Sequence, residues 1–181
     1  MTATQILWIN LVLTVTLGLV LAFEPTEPGT MERRPRAAGA PLLSPFLLWR
    51  IMLVSVLMGA MALGIFFYAQ HVGHDIDTAR TMVVNMLIVG EIFYLFNVRF
   101  LHMRSLTLRG AMGTPIVLAA IVAVVIAQLL FTYAPFMHDI FDSRPLSLTD
   151  GLMIIGLGAA MFAVLELEKL AAHRLAWFED I

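Results

Sequence analysis

The sequence predicts an all-α fold, a polytopic membrane helical bundle of five transmembrane helices in a single membrane domain over residues 1–181. Three observations predict it. Of the residues, 60% are hydrophobic and only 13% charged, and mean hydropathy is +0.90, well above the roughly 45–50% apolar content of soluble domains. Five apolar runs each approach the ~20 residues that span a bilayer core. The segments between them hold most of the prolines, arginines and carboxylates, and charged groups are costly in lipid. The chain has no cysteine, so disulfides, thiolate metal sites and cysteine nucleophiles are excluded. The net charge of −2 is unremarkable, and no nucleic-acid partner is expected.

The first helix is expected over about 6–23, apolar apart from Asn10, Thr14 and Thr16, which form a polar stripe. Glu24, Pro25, Glu27, Pro28 and Gly29 stop it, because proline lacks the amide donor and carboxylates seek water. It lacks the basic start and small-residue cleavage site of a signal peptide. A second helix covers about 46–68, with Arg50 near its start, where a long side chain can snorkel. The third, about 81–97, contains Asn85 and Glu91. The fourth, about 115–133, has Pro115 in its first turn, where no donor is lost. The last covers about 148–167 and continues into an amphipathic cytoplasmic tail, 168–181. Five crossings place the termini on opposite sides.

Arginines and lysines set the orientation. Arg33, Arg34, Arg36 and Arg50 follow the first helix, Arg99, Arg104 and Arg109 follow the third, and Lys169 and Arg174 lie in the tail; the other side holds Arg80 and Arg144. This bias puts the first and third loops and the C-terminus in the cytoplasm and the N-terminus outside, in an integral protein of the plasma (inner) membrane. An external N-terminus with no export signal fits a piece whose preceding helices have been left out. Small residues at i, i+4 spacing (Ser55 and Gly59; Ala119, Ala123 and Ala127; Gly156 and Ala160) permit close helix approach, and ordinary bundle packing explains them. The 12 methionines, scattered over several helices, read as flexible core filler rather than metal ligands.

Residues 5–12, QILWINLV, followed by GLVLAFEPTEPGTMERRPR, resemble the sixth membrane helix and following loop of cation-transporting P-type ATPases of the calcium-pump and sodium-pump branch. TMVVNMLIVGEIFYLFNVR resembles that family's eighth helix, and RPLSLTDGLMIIGLGAAMFAVLELEKL its ninth-to-tenth loop and tenth helix. The resemblance covers nearly the whole chain and implies the C-terminal membrane domain, helices six to ten, of a pump. In the family an Asp-Lys-Thr-Gly aspartate is phosphorylated by ATP, and separate cytoplasmic domains carry that chemistry. This chain has no such motif and no glycine-rich phosphate loop, so no ATPase activity is expected from it alone. ATP and Mg belong to catalytic domains outside it, and no cofactor is expected within it. Its implied partners are the bilayer, the other helices and cytoplasmic domains of a pump, and a transported cation.

The resemblance also implies site residues. Asn10 matches the asparagine of the family's Asn-Leu-Val-Thr-Asp segment, whose side-chain oxygen coordinates the cation. Beyond it the sequence departs: Leu13 replaces threonine, Thr14 the shared aspartate, and Val15 glycine. Losing that carboxylate removes oxygens from a site that must supply ~6–8 to calcium, so Thr14 is a doubtful ligand, suited to a monovalent ion or to bonding back to its own helix. With no Gly or Pro in Leu13–Leu17, a continuous helix is expected there. Glu91 matches the eighth-helix glutamate that calcium pumps use as a ligand, and a mid-membrane carboxylate costs about 2.5–3.5 kcal/mol on insertion scales, which argues against a functionless one. Asn85 and Asn97 read as interhelical glue. His71, His74, Asp75 and Asp77, with His138, Asp139 and Asp142, fall in two loops on one side and read as solvated residues rather than a metal site. Two functions follow: part of a pump's ion pathway, or a free-standing pump-derived membrane protein with a structural or regulatory role.

Overall fold

The structure is a computed structural model that describes residues 1–14, 18, 22–23, 45–98 and 115–174, with side chains through Ala171. Among the described residues there are six helices: α1 (Ala3–Leu13), α2 (Pro45–Val72), α3 (Ile76–Val98), α4 (Pro115–Tyr133), α5 (Pro135–Phe141) and α6 (Leu148–Arg174). The loop carrying Arg33, Arg34 and Arg36, the loop carrying Arg99, Arg104 and Arg109, and the end of the expected tail lie outside the described residues.

The expected five crossings are corrected to four. By length and composition, only Pro45–Val72, Ile76–Val98, Pro115–Tyr133 and Leu148–Ala171 among the described residues are long and apolar enough to cross a membrane. The helix expected over 6–23 is α1, which has 11 residues. At 1.5 Å per residue it spans roughly 16 Å, about half of the ~30 Å hydrocarbon core. Its start is set by a capping box: the Thr2 hydroxyl accepts from the Gln5 amide at 3.3 Å, and the Gln5 side chain accepts from the Thr2 amide at 3.1 Å. Its regular α-geometry ends at Leu13, and Thr14 and Gly18 stand in wider, π-type turns. The unbroken helix expected through Leu13–Leu17 falls mostly outside the described residues; where it can be followed, regular α-geometry gives way to a π-type turn at Thr14.

A second addition is α5, hidden in what reads as a loop. Pro135 starts it, at a position where no helical hydrogen bond is lost, and Asp142 ends it in the left-handed region at φ 53°.

The centre of the bundle is α3, which packs against α1, α2, α4 and α6. Its inward residues Met82, Val84, Met86, Ile88 and Leu95 are almost fully buried. Close approach depends on two glycines outside the small-residue stripes. A Cβ on Gly90 of α3 would lie 2.9 Å from Met58 Sδ, and one on Gly158 of α6 would lie 2.7 Å from a Phe93 ring carbon and 2.8 Å from Val89. Ser55, Gly59, Ala119, Ala123, Gly156 and Ala160 are all exposed instead. The periodicity finds small residues, but which of them meets a neighbour depends on helix rotation.

Helix order fixes which ends share a side. The α2–α3 hairpin and the segment from Ala134 to Ser147 lie together, as the Arg144–Asp77 ion pair (3.3 Å) and the Arg144 amide donating to Thr81 Oγ1 (3.0 Å) show. The start of α1 is at the same end, because Gln5 Nε2 donates to the Phe141 carbonyl at 2.9 Å. At the opposite end lie Arg50, Asn97 and the end of α6.

Overpacking in a close-packed core costs about 1–3 kcal/mol. Gly158→Val should lower the thermal midpoint of the protein in detergent accordingly, whereas Gly156→Ala, whose Cβ meets nothing within 4 Å, should leave it unchanged or raise it.

Candidate cation site

Glu91 occupies the middle of α3, half-buried, on the face turned toward α1 and α4. It opens into a narrow cleft whose walls are Val12 and Leu13 of α1, Ile88, Ile92 and Leu95 of α3, and Ala120, Ile121 and Val124 of α4. Every other lining side chain is aliphatic. Among the described residues the Glu91 carboxylate has no hydrogen bond or ion pair. A carboxylate in that position is either protonated or met by a cation, because bare charge in apolar surroundings is too costly to persist.

Helix α1 is held against the bundle at the end that carries Gln5 and Trp8. Its buried residues Gln5, Ile9 and Val12 recur at helical spacing and face α3 and α4. Trp8 Nε1 donates to Gln128 Oε1 at 3.1 Å, and the Trp8 ring stacks on Phe131 at 5.4 Å and meets Phe141 edge-on at 5.3 Å. Asn10 and Thr14, four residues apart, share the exposed face of α1 with Leu7 and Leu11. They do not line the Glu91 cleft: within this chain the structure joins Glu91 to α1 through Val12 and Leu13, and leaves Asn10 and Thr14 turned outward.

Asn85, about a turn and a half before Glu91, bridges to α4. Its Nδ2 donates to the Thr81 carbonyl at 2.9 Å and lies 3.1 Å from Thr132 Oγ1. Nearer the surface, the loop histidines and aspartates are dispersed among separate partners. His74 Nε2 is 3.7 Å from Asp150, Asp77 pairs with Arg80 and Arg144, and His138 meets the Thr132 carbonyl. Thr78 donates to Asp75 and holds its carboxyl below the usual carboxylate range.

At the opposite end is a buried ionic network that sequence reasoning missed. Arg50, 2% exposed, donates to Glu168 and to Asn97 Oδ1. Asn97 Nδ2 donates to Glu166 Oε1 at 2.7 Å, Lys169 Nζ lies 3.3 Å from the same oxygen, and Trp49 Nε1 donates to Glu168 Oε1 at 3.1 Å. Two cations and two carboxylates thus neutralise one another across α2, α3 and α6. Arg50 reads in sequence as a snorkelling side chain, Glu168 and Lys169 as the start of the amphipathic tail, and Glu166 falls unremarked at the end of the last expected helix. The available signal was the run of ionisable residues inside an apolar segment that continues to Ala171.

Comparison with known proteins decides the family. The sequence pattern described as "Cation transporting ATPase, C-terminus" matches residues 1–171. The chain belongs to this family. It is 38% identical over 167 residues to the "Probable cation-transporting ATPase F" of Mycobacterium tuberculosis, covering 92% of this chain and 18% of that protein. It is 33% identical over 147 residues to the "Cation-transporting ATPase pma1" of Synechocystis (78% of this chain, 16% of that one), and 29% identical over 173 residues to the mouse "Calcium-transporting ATPase type 2C member 2" (93% and 18%). The chain therefore spans about a fifth of the length of these relatives. It corresponds to the non-catalytic, membrane-embedded C-terminal region of P-type cation-transporting ATPases.

Asn97 is neutral, so its loss leaves the charges balanced but strips Arg50 and Glu166 of charge-assisted hydrogen bonds, each of which contributes about 1.5–3 kcal/mol. Asn97→Leu should destabilise the detergent-solubilised protein on that scale, while Asn85→Leu, which breaks only neutral hydrogen bonds, should cost nearer 1 kcal/mol. Denaturation midpoints of the two variants check the ranking.

Proposed function

We propose that this chain forms part of the ion pathway of a pump of the calcium-pump and sodium-pump branch, with Glu91 as its titratable cation ligand. The observation that carries this reading is the Glu91 carboxylate, unpartnered among the described residues, opening into an otherwise aliphatic cleft between α1, α3 and α4. On this reading α1 stands for the family's sixth helix, α3 for its eighth and α6 for its tenth. ATP and Mg act on catalytic domains beyond these residues, and the chemistry reaches the site through helix movement.

Asn10 is the second proposed ligand and Thr14 a weaker third. Both occupy the outward face of α1, where the membrane helices of a complete pump would meet it, so they would join a cation held partly by those helices. A threonine hydroxyl in place of a carboxylate lowers both the charge and the number of oxygens below what a calcium site of ~6–8 ligands requires. That favours a site with fewer protein oxygens or a smaller ionic charge.

The arginine bias supports placing the α2–α3 hairpin, the segment from Ala134 to Ser147 and the start of α1 outside, and the Arg50–Asn97 end in the cytoplasm of a plasma membrane.

In a complete pump carrying this chain, Glu91→Gln should raise the half-saturating cation concentration about tenfold or more, since charge-assisted contacts contribute about 1.5–3 kcal/mol. The pH dependence of that concentration should flatten as well. Unchanged transport and an unchanged pH profile would demote Glu91 to a packing residue. His71→Cys should react with an impermeant thiol reagent from outside intact cells, and protection there would reverse the orientation. The isolated chain should form no phosphoenzyme from ATP with any cation.

A further inference from the structure

Gln128 is buried near the outer end of α4, 7% exposed, with one side-chain atom accounted for and one not. The indole N–H of Trp8 can only donate, so the atom facing it at 3.1 Å is the amide oxygen. The remaining Nε2 group has no hydrogen-bond partner. An amide buried at this cost needs a purpose that an apolar residue of the same size would not serve.

Its position suggests one. Val124, one turn earlier on the same face of α4, lines the Glu91 cleft, and Val12 and Leu13, one turn after Trp8 on α1, line its opposite wall. The Trp8–Gln128 bond therefore sits one helical turn outside the cleft and ties together the two helices that form it. Around it, Phe131 and Phe141 hold the indole ring, and Thr132 Oγ1 lies 2.9 Å from the Gln128 carbonyl and 3.1 Å from Asn85 Nδ2, so that α3 is joined to the same point. Gln5, Ile9 and Val12 hold the same narrow face of this 11-residue helix against α3 and α5, and the Trp8–Gln128 bond is the polar link from it to α4 among the described residues.

We propose that Gln128 and Trp8 are positioning residues for the cation cleft: their hydrogen bond sets the rotation of α1 against α4, and so the placing of α1 over Glu91. The proposal rests on the cation-site reading of Glu91 for its functional consequence, and on the geometry alone for the positioning. Gln128 and Trp8 touch no cation. They act through the backbone of α1.

The test uses a complete pump whose C-terminal membrane domain is this chain, with two measurements. In the first, Trp8→Phe removes the donor but keeps an aromatic ring, and Gln128→Met removes the acceptor at similar volume. Each should raise the half-saturating cation concentration about fivefold, as expected for one lost hydrogen bond, with a much smaller effect on turnover. The double variant should show no further loss. In the second, Val12→Cys and Ile121→Cys, introduced together, should form a disulfide across the cleft, and its yield should fall several-fold in either the Trp8→Phe or the Gln128→Met background. If affinity and cross-linking both fall, the proposal stands. If only one of them changes, or neither does, while Glu91→Gln shifts affinity, it is overturned. If Glu91→Gln has no effect, the cation-site reading fails instead, and cross-linking alone decides whether the bond positions α1.

Discussion

A guanidinium buried within an apolar bundle must be met by oxygens, and the constraint on which this structure depends is how Arg50 is met. Glu168 and Asn97 take its hydrogens, Asn97 passes the contact to Glu166, and Lys169 balances the second carboxylate. Because the five side chains come from three helices, none of those helices can slide or rotate at this end without exposing a charge to hydrocarbon. A network of this kind gives less net stability than its contacts suggest, since desolvation opposes attraction. Its effect is on specificity: one register of α2, α3 and α6 satisfies it. That register brings Gly158 against Val89 and Phe93, where a side chain would overlap both, and Gly90 against the end of the Met58 side chain.

With α3 fixed from below, the other end of the bundle is free to do something different. There the polar contacts are neutral hydrogen bonds and partly exposed ion pairs, set beside aromatic stacking and the apolar cluster around Ile65 and Met82. Helix α1 belongs wholly to that end. It has a narrow inward face, a tether through Gln5 and Trp8, and a regular stretch that stops at Leu13 beside the Glu91 cleft. The fold thus sets a rigid three-helix frame beside a lightly held helix, and the solitary carboxylate lies where the two meet.

Much of this was legible in the sequence. Hydropathy marks α2, α3, α4 and α6 because a bilayer imposes a length on every apolar run, and Pro115 and Tyr133 bound α4 as expected. Hydropathy misleads at α1, where the apolar run is as long as a crossing but the regular helix is not. Apolarity reports where a segment can lie; hydrogen-bond geometry at Thr14 decides where its α-helix ends. Pro135 was hidden for the opposite reason, since a seven-residue helix is too short to leave a periodic signal. Among site residues, Glu91 stands out because a carboxylate amid aliphatic residues has few bland explanations. Asn10 and Thr14 share a face at i, i+4 spacing, but sequence could not say whether that face turns inward. Gln128 and Asn97 were hardest to read. Amides become informative only once their partners, far away in the chain, are known.

As the proposed cation ligand, Glu91 would exchange a proton for a cation. Infrared difference spectroscopy of a complete pump carrying this chain, recorded on adding the transported cation, reads that exchange directly. The account predicts loss of a protonated-carboxyl stretch that is absent from the Glu91→Gln variant. A difference spectrum in which that band persists unchanged between the parent and the variant would contradict it.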